Sequence, residues 1–266
     1  MRRCSDFSAY ADREKTGRGC GLRSNYQPWL KVSDFTQSQG MRSRLFSAKC
    51  GRVVHLLSTA EKWAFLSFDW SDDIVEIYEQ FPLDPRVTKR IAEELQYRHP
   101  GYTTRSGGAV MTTDFVVRRR TGFGFVRNAY QVKSTKRDAE NPRTQEKLQI
   151  ERTYWERQRT EWALLYAEDF NPIFCRNLER LHPYRNQSYE KRDIARMMKF
   201  LMDVSRVCAD ASAAELHEVV LRLPSSMAVD GWEVVLILAA HKKVLFPINK
   251  MDVDCCVVQD FQKNHV

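Results

Sequence analysis

The chain has 266 residues, 42 lysines and arginines against 34 aspartates and glutamates, a formal net charge of +8 and a sequence pI near 9.1. That length permits two domains, and the basic balance suits a polyanion such as DNA, although many soluble proteins are basic without such a partner. No apolar stretch reaches transmembrane length and no signal peptide is visible; seven cysteines without a Cys-x-x-Cys pair speak against a disulfide framework, and six scattered histidines offer no zinc spacing.

In chain order, the segment up to about Asn25 is polar and glycine-containing. Arg2, Arg3, Arg18, Arg42, Arg44, Lys49 and Arg52 then concentrate positive charge, which can follow a phosphate backbone or simply face water. Ser58-Thr59-Ala60-Glu61 fits a capping box, with Ser58 as N-cap and Glu61 at the third helical position. Leu57, Ala60, Ala64, Phe65 and Phe68 continue at helical spacing. His55, just before this helix, reads as a core residue, with a DNA contact as the alternative.

Val110 to Val117 follows Gly107-Gly108 and is rich in β-branched and apolar residues, so it reads as a strand. Alternation puts Thr112, Asp114 and Val116 on one face and Thr113, Phe115 and Val117 on the other. Arg118-Arg119-Arg120-Thr121-Gly122 is expected on a hairpin turn, and Phe123 to Lys133 returns as the next strand, with Gln131 and Lys133 on one face. Asn141-Pro142 reads as N-cap and first residue of a helix reaching about Gln158, with Leu148, Tyr154 and Trp155 buried. Trp162 to Tyr166 is a continuous apolar run, as in a covered inner strand. Beyond it, Asp193 to Val207 reads as a helix with Ile194, Met197, Met198 and Leu201 as its apolar face. Ala211 to Arg222 reads as another, Gly231 to Ala240 as a third helix or a buried strand, and Val244 to Ile248 as a short strand or wing.

Three places carry chemistry. An aspartate in an apolar strand either faces water at an edge or needs compensation for burial, which a metal ion would provide. Glu61 has a local explanation as a cap; it can also be a ligand if its side chain points toward the strands. Gln131-Val132-Lys133 is uninformative alone but follows Asp114 by one hairpin. Acid on a helix, acid on a strand, then Gln-x-Lys on the next strand can hold Mg²⁺ against a phosphodiester and set a lysine beside the attacking water.

The chain resembles the TnsA family, the endonuclease subunits of heteromeric bacterial cut-and-paste transposases. The resemblance runs over residues 26 to 172. It rests on Tyr26-Gln27-Pro28-Trp29-Leu30, Gly51 to Ser58, Glu79-Gln80-Phe81-Pro82-Leu83, Met111 to Phe115, Gln131-Val132-Lys133, and Arg143 to Trp155. It implies a restriction-endonuclease-like α/β core, a mixed sheet flanked by helices, over 26–172. A mainly helical, winged-helix-like domain over 173–266 is implied to follow, a helical cap on the core being the alternative; composition sets 1–25 apart as a polar N-terminal segment. It implies Glu61, Asp114, Gln131 and Lys133 as catalytic residues. Metal ligands would be Glu61, Asp114 and Gln131, with Glu151 as an adjacent acidic position, and the metal Mg²⁺ with Mn²⁺ as substitute. Arg118, Arg119 and Arg120 are candidate DNA contacts. The implied partners are transposon-end DNA, a TnsB-like recombinase that cuts and joins the 3′ ends while this chain cuts the 5′ ends, and a TnsC-like regulatory ATPase, all in the bacterial cytoplasm. A stand-alone restriction or repair nuclease of the same fold, or a non-catalytic DNA-binding scaffold, are the competing readings.

Overall fold

The computed structural model describes Arg13 and residues 15–35, 41–100, 110–225 and 227–264. Most of the polar leader, Arg2-Arg3 and Gly107-Gly108 lie outside the described residues. The chain divides into two compact units, Met1–Asp169 and Phe170–Val266.

The first unit opens with a hairpin of β1 (Ser43–Ser47) and β2 (Arg52–Leu56), in which Ser47 pairs with Arg52. Gly51 turns between them at φ 67°, a region that glycine enters without the Cβ penalty. Helix α1 (Thr59–Trp70) starts where its cap predicts: the Ser58 hydroxyl accepts the Glu61 N–H at 3.1 Å. Then come β3 (Ile74–Pro82), α2 (Pro85–Glu94), β4 (Thr112–Thr121), β5 (Gly124–Lys133), α3 (Lys136–Glu140), α4 (Pro142–Arg157) and β6 (Glu161–Tyr166). Asn141 caps α4 by accepting the N–H groups of Arg143 and Thr144, ahead of Pro142 in the first turn.

Strands β3, β4, β5 and β6 form one sheet in that order, antiparallel except for the parallel pair β5–β6. Its faces are covered by helices. Phe68 of α1 packs on Phe115 and Tyr130, with ring centroids 5.5 and 5.0 Å apart. On α4, Ile150, Tyr154 and Trp155 close a cluster with Tyr78, Val116 and Ala129. Phe65, Phe115 and Trp155 are fully buried, and each such side chain contributes roughly 1.5–3 kcal/mol of transfer free energy.

The sheet differs from the sequence expectation in three ways. The arginine run is not on the turn: β4 extends to Thr121, which pairs with Gly124, so Gly122-Phe123 make the reversal and Arg118, Arg119 and Arg120 stand on the strand. Strand β6 is an edge strand, half-buried rather than covered, because an apolar run alone does not reveal how many strand neighbours it has. Alternation also breaks near Asp114. Thr113 bonds to α4 and Val116 packs against it, yet Phe115 between them packs on α1.

The second unit is mainly helical, with α5 (Pro172–Arg185), α6 (Lys191–Val207), α7 (Ala213–His217) and α8 (Gly231–Ala240). The segment Ala211 to Arg222 is not one helix. It breaks after His217 into β7 (Val220–Arg222), which pairs with β8 (Ala228–Asp230). Helix α8 is apolar around its whole circumference and buried from Val234 to Ala240, so it forms the centre of this unit. Strands β9 (Val244–Leu245) and β10 (Gln262–Lys263) form a second short pair.

Candidate active site

The site begins where two strands part. The β4–β5 ladder runs from Thr121 and Gly124 to Phe115 and Tyr130 and stops there. Past that point side chains replace the ladder: Asp114 Oδ2 accepts the Val132 N–H at 2.8 Å, and Gln131 Oε1 accepts the Asp114 N–H at 3.2 Å. Buried backbone donors need partners, so the carboxylate that opens the gap also satisfies the strand it has left. Alternation fails at Asp114 between the pairs Glu79–Phe115 and Phe81–Thr113, where Gln80 of the facing strand has φ 48°.

Helix α1 brings the second acid. Glu61 is 7% exposed. Its Oε2 accepts the Leu57 N–H at 2.9 Å and its Oε1 accepts the Ser58 hydroxyl at 3.1 Å. Capping and a place in the site therefore coexist in one side chain. Strand β3 supplies the residue that joins the two acids, Gln80. Its Nε2 donates to Glu61 Oε2 at 3.3 Å and to Asp114 Oδ1 at 3.1 Å, while Thr112 Oγ1 donates to its Oε1 at 3.0 Å. Gln80 is 2% exposed and has φ 48°, a left-handed conformation that costs a non-glycine residue energy and persists only where surroundings over-determine it.

Lys133 follows on β5. Its Nζ donates to the Val132 carbonyl at 3.2 Å. Lys133, Gln131, Thr112, Lys147 and Glu151 line one open cavity. Glu151 of α4 is buried and belongs to a different cluster: its Oε1 accepts the Thr113 hydroxyl at 2.7 Å and the Trp162 indole N–H at 3.1 Å, and Trp155 donates to Thr113 at 2.8 Å. The structure thus gathers Glu61 and Asp114 around Gln80, holds Gln131 on the Asp114 N–H, and sets Lys133 and Glu151 on the adjoining cavity.

Burial, reinforced by the Asp114 charge, pushes Glu61 up to about 8. Burial also raises Asp114, against the opposing pull of Lys133 and of the donors Val132, Gln80 and Gln131. Glu151 rises to about 8, chiefly through burial. Two buried carboxylates that resist ionisation side by side form a place where a cation is stabilised. The donors are all oxygens, which fits a hard divalent cation. Among the described residues no three or more His, Cys, Asp or Glu gather to hold a metal. A cation here would therefore rest on Glu61 and Asp114 with neutral oxygens such as that of Gln131.

The basic residues are mostly engaged. Arg118 pairs with Glu76 at 3.0 Å and covers the Phe125 ring, Arg119 pairs with Asp73 at 2.8 Å, and Arg120 is exposed. Among the described residues of the N-terminal cluster, four are engaged within the fold. Arg18 pairs with Asp34, Arg42 and Lys49 donate to backbone carbonyls, and Arg52 forks onto Glu79 at 2.7 and 2.6 Å. Neither member of that last pair is more than 8% exposed at its side chain. His55 accepts the Val32 N–H at Nδ1 and is a structural residue. Sequence reasoning missed Gln80 and the Arg52–Glu79 pair. Both lie inside segments that carried the family resemblance, but nothing local in Glu79-Gln80 signals a role.

A mixed sheet flanked by helices, with a helical acid and a strand acid meeting beside Gln-x-Lys, defines a nuclease of the restriction-endonuclease-like class. Residues 71–167 match the family model described as TnsA-like endonuclease N terminal. The chain is also 37% identical over 187 residues to the transposon Tn7 transposition protein TnsA of Escherichia coli, a match covering 70% of this chain and 67% of that protein. It belongs to the TnsA family.

Proposed function

We propose that this chain is the endonuclease subunit of a heteromeric transposase and cuts the 5′ ends of a transposon while a TnsB-like recombinase cuts and joins the 3′ ends. The observation that supports it most is the meeting of Glu61 and Asp114 at one point beside Gln131 and Lys133. Glu61 and Asp114 would hold Mg²⁺, or Mn²⁺ in its place, with Gln131 as a neutral oxygen. The bound ion would polarise the scissile phosphate and make a water acidic enough to attack. Lys133 borders the open cavity, where its ammonium orients the water and offsets charge building on the phosphorus. Lys147, on the same cavity wall, and exposed Arg120 are free to approach phosphates. Glu151 holds Thr113, and so the backbone that precedes Asp114, in place.

The second unit, read as winged-helix-like, is proposed to contact DNA or a TnsC-like ATPase. The test is a reconstituted reaction with transposon-end DNA. Lys133→Ala should lose 5′-strand cleavage at least 100-fold with Mn²⁺ binding intact. Full 5′ cutting by that variant, or vigorous cutting of plain duplex by the chain alone, overturns the reading.

A further inference from the structure

Gln80 has no part in the site as the family pattern defines it, yet it is the group that touches both acids. Its amide nitrogen lies between Glu61 Oε2 and Asp114 Oδ1, at 3.3 and 3.1 Å. Each acid has its own further donors: Leu57 and Ser58 on Glu61, Val132 on Asp114. A cation shared by Glu61 Oε2 and Asp114 Oδ1 would compete with the Gln80 nitrogen for those two oxygens. The amide N–H₂ carries partial positive charge, so it does weakly what a cation does strongly. The backbone holds it there at φ 48°, and Thr112 fixes the far end of the amide. An outlier of this kind at a pair of functional acids calls for a functional account.

We infer that the Gln80 amide is a positioning group that substitutes for the divalent cation between Glu61 and Asp114 and is displaced when the cation binds. This rests on the reading that those two acids hold the metal. With the amide in place, the two carboxylates share one donor, at 3.3 and 3.1 Å, in place of a shared cation. A metal must then break two amide–carboxylate hydrogen bonds to enter, so Gln80 lowers metal affinity and makes occupancy respond to cation concentration. Terminal amide torsions are broad and two-fold, so rotation about the last side-chain bond lets the nitrogen withdraw without moving β3.

Mn²⁺ binding to the full chain, followed through the electron paramagnetic resonance signal of free Mn²⁺, tests this without reference to cleavage. Gln80→Gly removes the amide and suits the left-handed backbone, so it should fold. It should bind Mn²⁺ at least five-fold more tightly than wild type. Gln80→Glu keeps the shape and adds a third carboxylate. It should melt several degrees lower without divalent cations, bind Mn²⁺ at least ten-fold more tightly, and regain its melting temperature when Mn²⁺ is added. Asp114→Asn should lose Mn²⁺ binding in the same assay, which checks the metal reading separately. Wild-type binding that is unchanged or weakened in Gln80→Gly overturns the inference while leaving the metal reading intact. Absence of Mn²⁺ binding by wild type overturns both.

Discussion

The carboxylate of Asp114 accepts the backbone N–H of Val132, 2.8 Å away, at the point where their two strands stop pairing. One side chain thus meets the Val132 donor just past the last backbone pair. This makes alanine a poor probe at position 114, because it removes structure and charge together. Asp114→Asn keeps an oxygen for Val132 while losing the charge and the oxygen that accepts from Gln80. It should retain the wild-type melting temperature within about 3 °C and lose 5′-strand cleavage by three orders of magnitude or more in a reconstituted transposition reaction. Cleavage within ten-fold of wild type would remove Asp114 from the catalytic set.

Glu61 offers a similar separation of roles. As a cap partner it accepts from Leu57 and Ser58, and an amide oxygen can accept from Leu57 equally well. Glu61→Gln should leave the helix start intact by circular dichroism. It should shift the Mg²⁺ dependence of cleavage upward by at least ten-fold. Unchanged metal dependence would return Glu61 to capping alone.

Arg52 and Glu79 form a buried, bidentate pair next to Gln80 on the chain. Removing one partner leaves the other charge buried and alone, which typically costs 3–5 kcal/mol, on the order of the loss expected here. Arg52→Leu should shift urea denaturation accordingly, and Arg52→Leu with Glu79→Leu should recover most of the loss. A single variant as stable as wild type would show that Glu79 is carried uncharged.

Glu151 predicts a pH dependence. Its carboxyl keeps its proton to about 8 in the folded chain, against 4.5 for an ordinary glutamate. Between those values the folded state holds a proton that the unfolded state has released, so stability falls as pH rises through this window. For one group the slope is at most about 1.4 kcal/mol per pH unit. Glu151→Gln keeps an acceptor for Thr113 and Trp162 and cannot titrate. Melting curves without divalent cations should show a shallower decline for the variant between pH 5 and 8, with the two proteins parallel above it. Equal slopes would mean that Glu151 is ionised in the fold.

The sequence made the helix starts and the reactive residue types legible because these signals are local. Ser58 and Asn141 are caps read from a few adjacent residues, and Asp114, Gln131 and Lys133 stand out by type and spacing. What it did not make legible depends on partners far along the chain. Gln80 is inconspicuous until β3 is laid against β4, 34 positions away from it at Asp114. Arg52 looked like surface charge until folding placed Glu79 beneath it. Arg118 and Arg119 of β4 looked like a turn because their acidic partners, Glu76 on β3 and Asp73 just before it, lie far away along the chain. The break in alternation could not be read from a periodic pattern, since it falls beside Gln80 on the facing strand, at φ 48°.

The hydrogen-bonded run from Trp155 through Thr113 to Glu151, joined there by Trp162, ends one residue from Asp114. Two indole N–H groups are thus wired to the neighbourhood of the acids. Indole emission is sensitive to local electric fields, so the chain carries its own optical reporter of events at Asp114. Replacing Trp29, Trp63, Trp70 and Trp232, the remaining four of its six tryptophans, with phenylalanine would leave a label-free test of the proposed cation and DNA binding, in which the observing dyes are already part of the scaffold.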